Sequence, residues 1–430
     1  MVSSHFSEWE ILPLEDCMEA IIDYRGKTPD KTRYGIPLIT AKIVKGGQIQ
    51  KPEEFISPND YDSWMRRGLP KAGDILITTE APLGEVAQLD NRTVALAQRL
   101  ITLRGKQNLL DNTFLKFLMQ SEFIQEQLKS RASGSTVSGI KQSELRKIDL
   151  PVPPLPTQHA IARILGSLDD KIELNRQMSE TLEAMARAIF QSWFVDFDPV
   201  RAKAEGRQPA GMDAETAALF PSEFEEVDGR VVPRGWGVRT IGELTTIVGG
   251  STPSTTNPEY WENGTHHFAT PKDLAGLSTP ILLDVEKKIT DSGVDQISSR
   301  ILPIGTILLS SRAPIGYIAF TTIPVSINQG FIAIICDKDL PNYYVLSWVS
   351  ENLPLIIDRA NGTTFLEISK SNFKPMKVII PPTEILNKFV QQVKPLYAKI
   401  ENNEQQSRIL AQIRDALLPK LMSGEFSLNQ

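Results

Sequence analysis

The chain has 430 residues, 41% of them hydrophobic and 23% charged, with a formal net charge of −6. That length is too great for one compact domain and leads us to expect two or three, each with an ordinary core. No apolar run reaches the roughly 18 residues of a membrane span, and residues 1–10 lack a secretory signal's basic and apolar segments, so no membrane partner is expected.

In chain order, Trp9 opens a mixed α/β segment. Strands are predicted at 74–78 and 100–103, where β-branched and leucine residues are bounded by glycine, and a helix at 113–131. The prolines of 151–156 stop that module, and a long helix is expected over 156–195. Residues 196–235, rich in Asp, Glu, Ala, Gly and Pro, read as a linker with short ordered pieces around Leu219, Phe220 and Phe224. A second module is expected at 236–382, with strands at 306–310 and Phe331–Ile335 and a helix at 343–359. A second long helix and a tail fill 383–430.

The two halves are copies. Gly73-Asp74-Ile75-Leu76-Ile77 and Ala81-Pro82-Leu83-Gly84 recur 232 positions later as Gly305-Thr306-Ile307-Leu308-Leu309 and Ala313-Pro314-Ile315-Gly316. Gly134-Ser135-Thr136, Ile140, Ser143, Val152, Pro153 and Pro154 recur 228 positions later as Gly362-Thr363-Thr364, Ile368, Ser371, Ile380, Pro381 and Pro382. Trp236 answers Trp9, and Gly250-Ser251-Thr252-Pro253 answers Gly26-Lys27-Thr28-Pro29. So many matches in one order define a duplication.

Each long helix carries a heptad seam: Ile161, Leu165, Leu168, Ile172, Asn175, Ser179, Leu182, Ala186, Ile189 and Trp193 in the first, and Phe389 to Leu421 at the same spacing in the second. A helix of about 35 residues spans about 50 Å, too long to pack on one small module. The predicted fold is therefore α+β: two pseudo-twofold-related mixed α/β modules separated by two long helices in an antiparallel coiled coil. Asn175 and Asn403 fall at matching midpoints, so antiparallel pairing brings them face to face, where a buried polar pair fixes register.

Catalytic motifs are missing. Gly26-Lys27-Thr28 resembles the end of a phosphate loop, but Ile21 stands where its first glycine belongs. His5, His159, His266 and His267 show no metal spacing, and Cys17 and Cys336 suit neither zinc nor a disulfide framework, which points to a reducing, cytoplasmic setting. No glycine-rich methyl-donor loop, Asn-Pro-Pro-aromatic motif or nuclease cluster is found, and Asp196 and Asp198 lack a partner, so the chain is expected to be non-catalytic. The acidic surplus does not exclude nucleic acid. Residues 156–235 carry 9 basic and 14 acidic groups, whereas residues 1–155 are balanced at 20 each and 236–382 carry 11 against 13. A base-reading module needs a local basic face, not a basic protein.

Two modules, two heptad helices and no catalytic motif resemble the specificity subunit of type I restriction-modification systems. The most particular residues are Ser192-Trp193-Phe194-Val195-Asp196-Phe197-Asp198-Pro199, Leu417-Leu418-Pro419-Lys420-Leu421-Met422-Ser423-Gly424-Glu425-Phe426 and Pro233-Arg234-Gly235-Trp236. Pro153-Pro154-Leu155-Pro156-Thr157-Gln158 is similar to the family's helix entrance, and Thr383-Glu384-Ile385 matches it more loosely. The resemblance implies that each module is a target recognition domain for half of a split double-stranded DNA site. The coiled coil would set the spacing and dock two DNA methyltransferase subunits of an adenine-specific enzyme, which restriction subunits then join. It implies no cofactor on this chain; S-adenosylmethionine, ATP and Mg belong to the partners. A coiled-coil adaptor using both modules for protein contacts is the alternative, but it does not explain the Trp-Phe-Val-Asp-Phe-Asp-Pro run. A fused nuclease or methyltransferase is a further rival.

Candidate DNA contacts are matched pairs. Lys42 and Lys272 follow Thr40-Ala41 and Thr270-Pro271 and suit phosphate. Thr78-Thr79-Glu80 and Ser310-Ser311-Arg312 end the matched strands, so Thr78, Glu80, Ser311 and Arg312 are candidates, with Glu80 suited to cytosine N4 and Arg312 to guanine. Gln98 and Gln329, and Lys141 and Lys370, complete the set, with Arg25, Arg66 and Arg67 as further phosphate contacts. The reading loops at 45–64 and 273–292 diverge, so the target should be asymmetric.

Overall fold

A computed structural model of the chain describes residues 9–24, 28–134, 137–362 and 366–424. The readings made on His5, Arg25, Gly26, Lys27, Ser135, Thr136, Thr363, Thr364, Glu425 and Phe426 lie outside them. The chain divides into two compact units, Met1–Ile172 with Arg408–Gln430, and Glu173–Ser407.

In the first unit, strands β1 (Met18–Asp23), β2 (Ile75–Thr79), β3 (Leu83–Gln88) and β4 (Leu100–Gly105) form an antiparallel sheet ordered β1-β4-β2-β3. Ile75, Ile77, Ile101 and Leu103 of that sheet are fully buried and pack on Phe114, Leu115, Phe117 and Leu118. Those four residues sit on the helix Asn112–Gln120. The expected single helix at 113–131 is interrupted at Ser121. Its backbone is extended (φ −64°, ψ 148°), and its hydroxyl donates to the Leu118 carbonyl at 2.6 Å, so a second helix starts at Glu122. The ribbon of Glu10–Pro13 against Asp149–Val152 closes the module.

The second unit repeats this plan. Strands β5 (Thr246–Gly249), β6 (Ile281–Leu282), β7 (Ile307–Ser311), β8 (Ile315–Thr321) and β9 (Phe331–Ile335) are ordered β5-β9-β7-β8-β6, with β6 parallel to β8. Register is kept across the duplication: Leu76 faces Thr102, and Leu308 faces Ala333. The helix expected at 343–359 is also two, Asn342–Glu351 and Leu353–Asp358, because Pro354 enters the second at its first turn. Residues 196–235 hold the ordered pieces expected around Leu219, Phe220 and Phe224 and more besides. They hold helices Asp198–Ala204 and Ala214–Leu219 and a hairpin of Phe224–Val227 with Arg230–Pro233. Phe197, Val200, Phe220 and Val232 enter the core, where Phe220 and Trp236 lie 6.3 Å apart between ring centroids.

Two helices of 40 residues, Leu155–Phe194 and Thr383–Met422, run antiparallel to one another within each unit. In the first unit Ile161 and Leu165 of one helix share a core with Leu421 and Met422 of the other. In the second, Phe190 and Phe194 share a core with Phe389 and Val393. The seam's polar residues are buried: Asn175 is 1% exposed, and Ser179 and Asn403 are 0%. Asn175 Nδ2 donates to the Asn403 carbonyl and Asn403 Nδ2 to the Asn175 carbonyl, both at 3.4 Å, and each amide also reaches a seam serine across the pair at 3.3 Å. Within the described residues neither amide oxygen finds a donor. Such a contact lowers stability relative to leucine but disfavours any other register.

Candidate nucleic-acid interface

The first module's candidate site grows from the end of β2. Register slips between Ile77 and Thr79, and the Thr78 hydroxyl turns inward to accept from the Glu85 N–H at 2.9 Å. The chain then passes a cis Ala81–Pro82 bond. Thr79 N–H donates to the Arg99 carbonyl at 2.9 Å, and the Thr79 carbonyl accepts from Ile140 N–H at 2.9 Å, so two loops are tied to one strand end. The second loop closes by two bonds between Ser133 and Gly139. It turns at Gly134, whose φ of +125° suits glycine alone, because a Cβ there would meet the Val137 carbonyl at 2.2 Å. Between the loops lies an open cavity of about 350 Å³ lined by Thr79, Glu80, Gln98, Arg99, Ser133 and Lys141 among others. Arg99 Nε meets Glu80 Oε1 at 2.7 Å, and Gln98 Nε2 donates to Thr28 Oγ1 at 3.2 Å.

The second module builds the same frame bond for bond. Ser311 N–H donates to the Gly330 carbonyl at 2.8 Å, and the Ser311 carbonyl accepts from Ile368 N–H at 3.0 Å. Ala313–Pro314 is cis, Gly362 has φ +132°, and Asn361 and Glu367 exchange two backbone bonds. Thr252 Oγ1 donates to Gln329 Oε1 at 2.6 Å. On this frame the charges are exchanged. Arg312 replaces Glu80 at the strand end, and its partner at 3.8 Å is Glu367, from the glycine loop.

Glu80, Gln98 and Lys141 thus line one cavity, and their matches Arg312, Gln329 and Lys370 lie within two residues of the bonded Ser311, Gly330 and Ile368 of the second frame. Lys42 and Lys272 are exposed on short turns reached from the same loops, since Ala97 N–H donates to Ile39 and Asn328 N–H to Ala269, each three residues before the lysine. Lys272 is paired with Glu286 at 2.8 Å, which holds its pKa above the usual lysine value. Thr78 and Ser311 need correcting. They are 0% and 3% exposed: the Thr78 hydroxyl is taken up by the Glu85 N–H, and Ser311, the counterpart of Thr79, is bound through its backbone on both sides. Arg99 and Glu367 were missed. The available signal was the opposite charge of the matched residues Glu80 and Arg312, each of which calls for a nearby counter-charge.

Elsewhere, Arg66 is exposed and Arg67 donates to the Asp23 carbonyl at 3.0 Å. His266 and His267 diverge, meeting Asp291 at 2.7 Å and Asp284 at 3.6 Å. Burial pushes the thiols up, Cys17 to about 11 and Cys336 to about 12, so both are held protonated. Among the described residues no group of three His, Cys, Asp or Glu side chains is placed to hold a metal, and no helix is long and apolar enough to cross a membrane.

Two copies of one module, built on the same strand-end frame and each packed on a segment of a long helical pair, define a duplicated recognition protein. Residues 7–184 and 233–411 both match the family described as "Type I restriction modification DNA specificity domain". The chain is 30% identical over 418 residues to the type I restriction enzyme HindI specificity subunit of Haemophilus influenzae, covering 86% of this chain and 90% of that one. It is 29% identical over 448 residues to the MjaIX specificity subunit of Methanocaldococcus jannaschii, covering 98% and 94%. The solved structure of a type I restriction-modification S subunit from M. genitalium shares the fold, with a TM-score of 0.57 at 17% identity over 98% of this chain and 97% of that one. The chain belongs to the type I restriction-modification specificity family, and its role is DNA sequence recognition within such a system.

Proposed function

We infer that each module reads one half of an asymmetric, bipartite double-stranded DNA site. The paired helices set the gap and dock two subunits of an adenine-specific DNA methyltransferase, which restriction subunits join in the full cytoplasmic complex. S-adenosylmethionine, ATP and Mg then reside on those partners. The observation that carries this reading is a common frame with different charged groups on it: Glu80 pairs with Arg99 from the loop before β4, whereas Arg312 at the equivalent strand end pairs with Glu367 from the glycine loop. Lys42, Lys141, Lys272 and Lys370 supply the phosphate contacts that orient each module without specifying sequence. Asn175 and Asn403 hold the helices in one register, which a ruler requires.

Methylation mapping of DNA from cells carrying this chain with its modification subunit tests the reading, because it reports both half-sites and the gap. Two unlike half-sites are expected; a single or palindromic target would overturn it. The junction after Phe194 is unsuited to a length change, since Trp193, Phe194 and Phe197 are core residues. One heptad inserted in both long helices, at positions that preserve the Asn175–Asn403 contact, should change the gap and spare the half-sites. Altered half-sites with an unchanged gap would show that the helices are not the ruler.

A further inference from the structure

We propose that the paired arginine of each module, Arg99 in the first and Arg312 in the second, reads a guanine edge in its half-site, with Glu80 and Glu367 as the positioning carboxylates. The inference rests on the DNA-reading function above and assigns the residues that decide one base in each half.

Arg99 is held unlike an ordinary surface arginine. Its φ is +75°, in the left-handed region that non-glycine residues rarely occupy, and its carbonyl is bound by the Thr79 N–H. The matching position in the other module is Gly330, so the side chain is an addition to a shared frame and not part of it. Glu80 engages Nε, which leaves the two terminal nitrogens as a fork, the geometry that matches O6 and N7 of guanine. In the second module Glu367 meets Arg312 at a terminal nitrogen, 3.8 Å away, which leaves the Nε edge as the fork.

Both pairs are half in solvent: 50% and 40% for Arg99 and Glu80, and 41% and 49% for Arg312 and Glu367. At that exposure the ion pair holds its arginine only weakly, so a base edge competes with the carboxylate on near-equal terms. A base that lacks the guanine acceptors leaves the arginine with its carboxylate and brings that carboxylate's charge towards the DNA. Each glutamate therefore works against the wrong base as well as orienting the right one. The two arginines also enter from different elements. Arg99 comes from the loop after Gln98, and Arg312 from the strand end. The guanines they read should accordingly fall at different positions within their half-sites.

The full chain assembled with its methyltransferase partner is used to select targets from a sequence-randomised DNA duplex library, alongside Arg99→Ala, Arg99→Lys, Glu80→Gln and Arg312→Lys. Arg99→Lys keeps the charge but loses the fork, so it decides the question even where Arg99→Ala folds poorly. Arg99→Ala and Arg99→Lys are each expected to lose about ten-fold or more of guanine discrimination at one position of the first half-site, leaving the second intact. Arg312→Lys should do the converse. Glu80→Gln should weaken preference at the same base as Arg99→Lys with an unchanged melting temperature. Retained guanine preference in Arg99→Lys, or equal weakening at all sequences with a shallower salt dependence in Arg99→Ala, would reduce Arg99 to a phosphate contact and overturn the assignment. If the unaltered complex selects two half-sites and these variants select the same ones, this inference alone fails. If the unaltered complex selects no sequence, the DNA-reading function fails with it.

Discussion

The two modules are attached to their helices at the same repeat positions by opposite chemistry. In the first unit Gln158, fully buried, donates to the Leu109 and Pro153 carbonyls at 2.9 and 2.7 Å and accepts from Asp111 N–H at 2.9 Å. Asp169 bridges Lys116 and Arg414, the latter at 2.8 Å. Burial works against the Arg414 charge, yet its bonds to Asp169 and Asp415 hold its pKa above the usual arginine value. The residues 228 positions from Gln158 and Asp169, and the residue 228 before Arg414, are Leu386, Tyr397 and Ala186. Tyr397 stacks on Tyr343 at 5.2 Å, and Tyr343 on Phe320 at 5.2 Å. One backbone plan is thus satisfied by a polar junction and by an apolar one. The polar junction depends on every member being present, because a buried charge without its partner costs more than the pair contributes.

That contrast can be broken by mutation. The largest effect is expected from Asp169→Ala, which leaves Lys116 and Arg414 buried without their shared anion and should destabilise the first unit by about 3–5 kcal/mol, measured by denaturant unfolding. Leu346 stands where Lys116 does, fifth in the matched helix, so replacing the set with the residues of the other junction (Lys116→Leu, Asp169→Tyr and Arg414→Ala together) should recover most of that loss. If the triple variant is as unstable as Asp169→Ala, the junctions are not interchangeable. Gln158→Leu strands two carbonyls and an N–H and should cost about 2 kcal/mol, whereas Leu386→Gln in the other unit buries an amide and should also destabilise; a neutral result for either would undo the comparison. The smallest change in stability is expected from Asn175→Leu with Asn403→Leu. That pair should raise the melting temperature by a few degrees while broadening the set of gaps accepted in a methylation map; a single unchanged gap would remove the register role.

The reading faces repeat the lesson in milder form. At the two strand ends the frame bonds from Thr79 and Ser311 are shared, and the charged side chains carried on them differ. The matched tripeptides 78–80 and 310–312 drew attention to the right place but not to the right atoms. Thr78 looked like an exposed hydroxyl because a strand end in a sequence carries no sign of the bulge it closes, and Ser311 because the loops that cover it come from distant parts of the chain. Arg99 passed unnoticed because its partner Glu80 lies nineteen positions away, joined only when β2 and the loop before β4 pair. The helix breaks at Ser121 and Pro354 were legible in residue type, but the apolar spacing ran on through both.

The sequence by itself determined the duplication, the two modules, the heptad seams and the family. Those features live in order and spacing, and local chemistry such as glycine turns and apolar periodicity reports them directly. Tertiary structure alone decided that residues from 196–235 enter a core, which side chains share the first module's groove, and that one junction is ionic and the other aromatic. Those outcomes depend on groups far apart in the chain meeting at a few ångströms, and burial changes the energy of a charge or an amide only once its surroundings are in place.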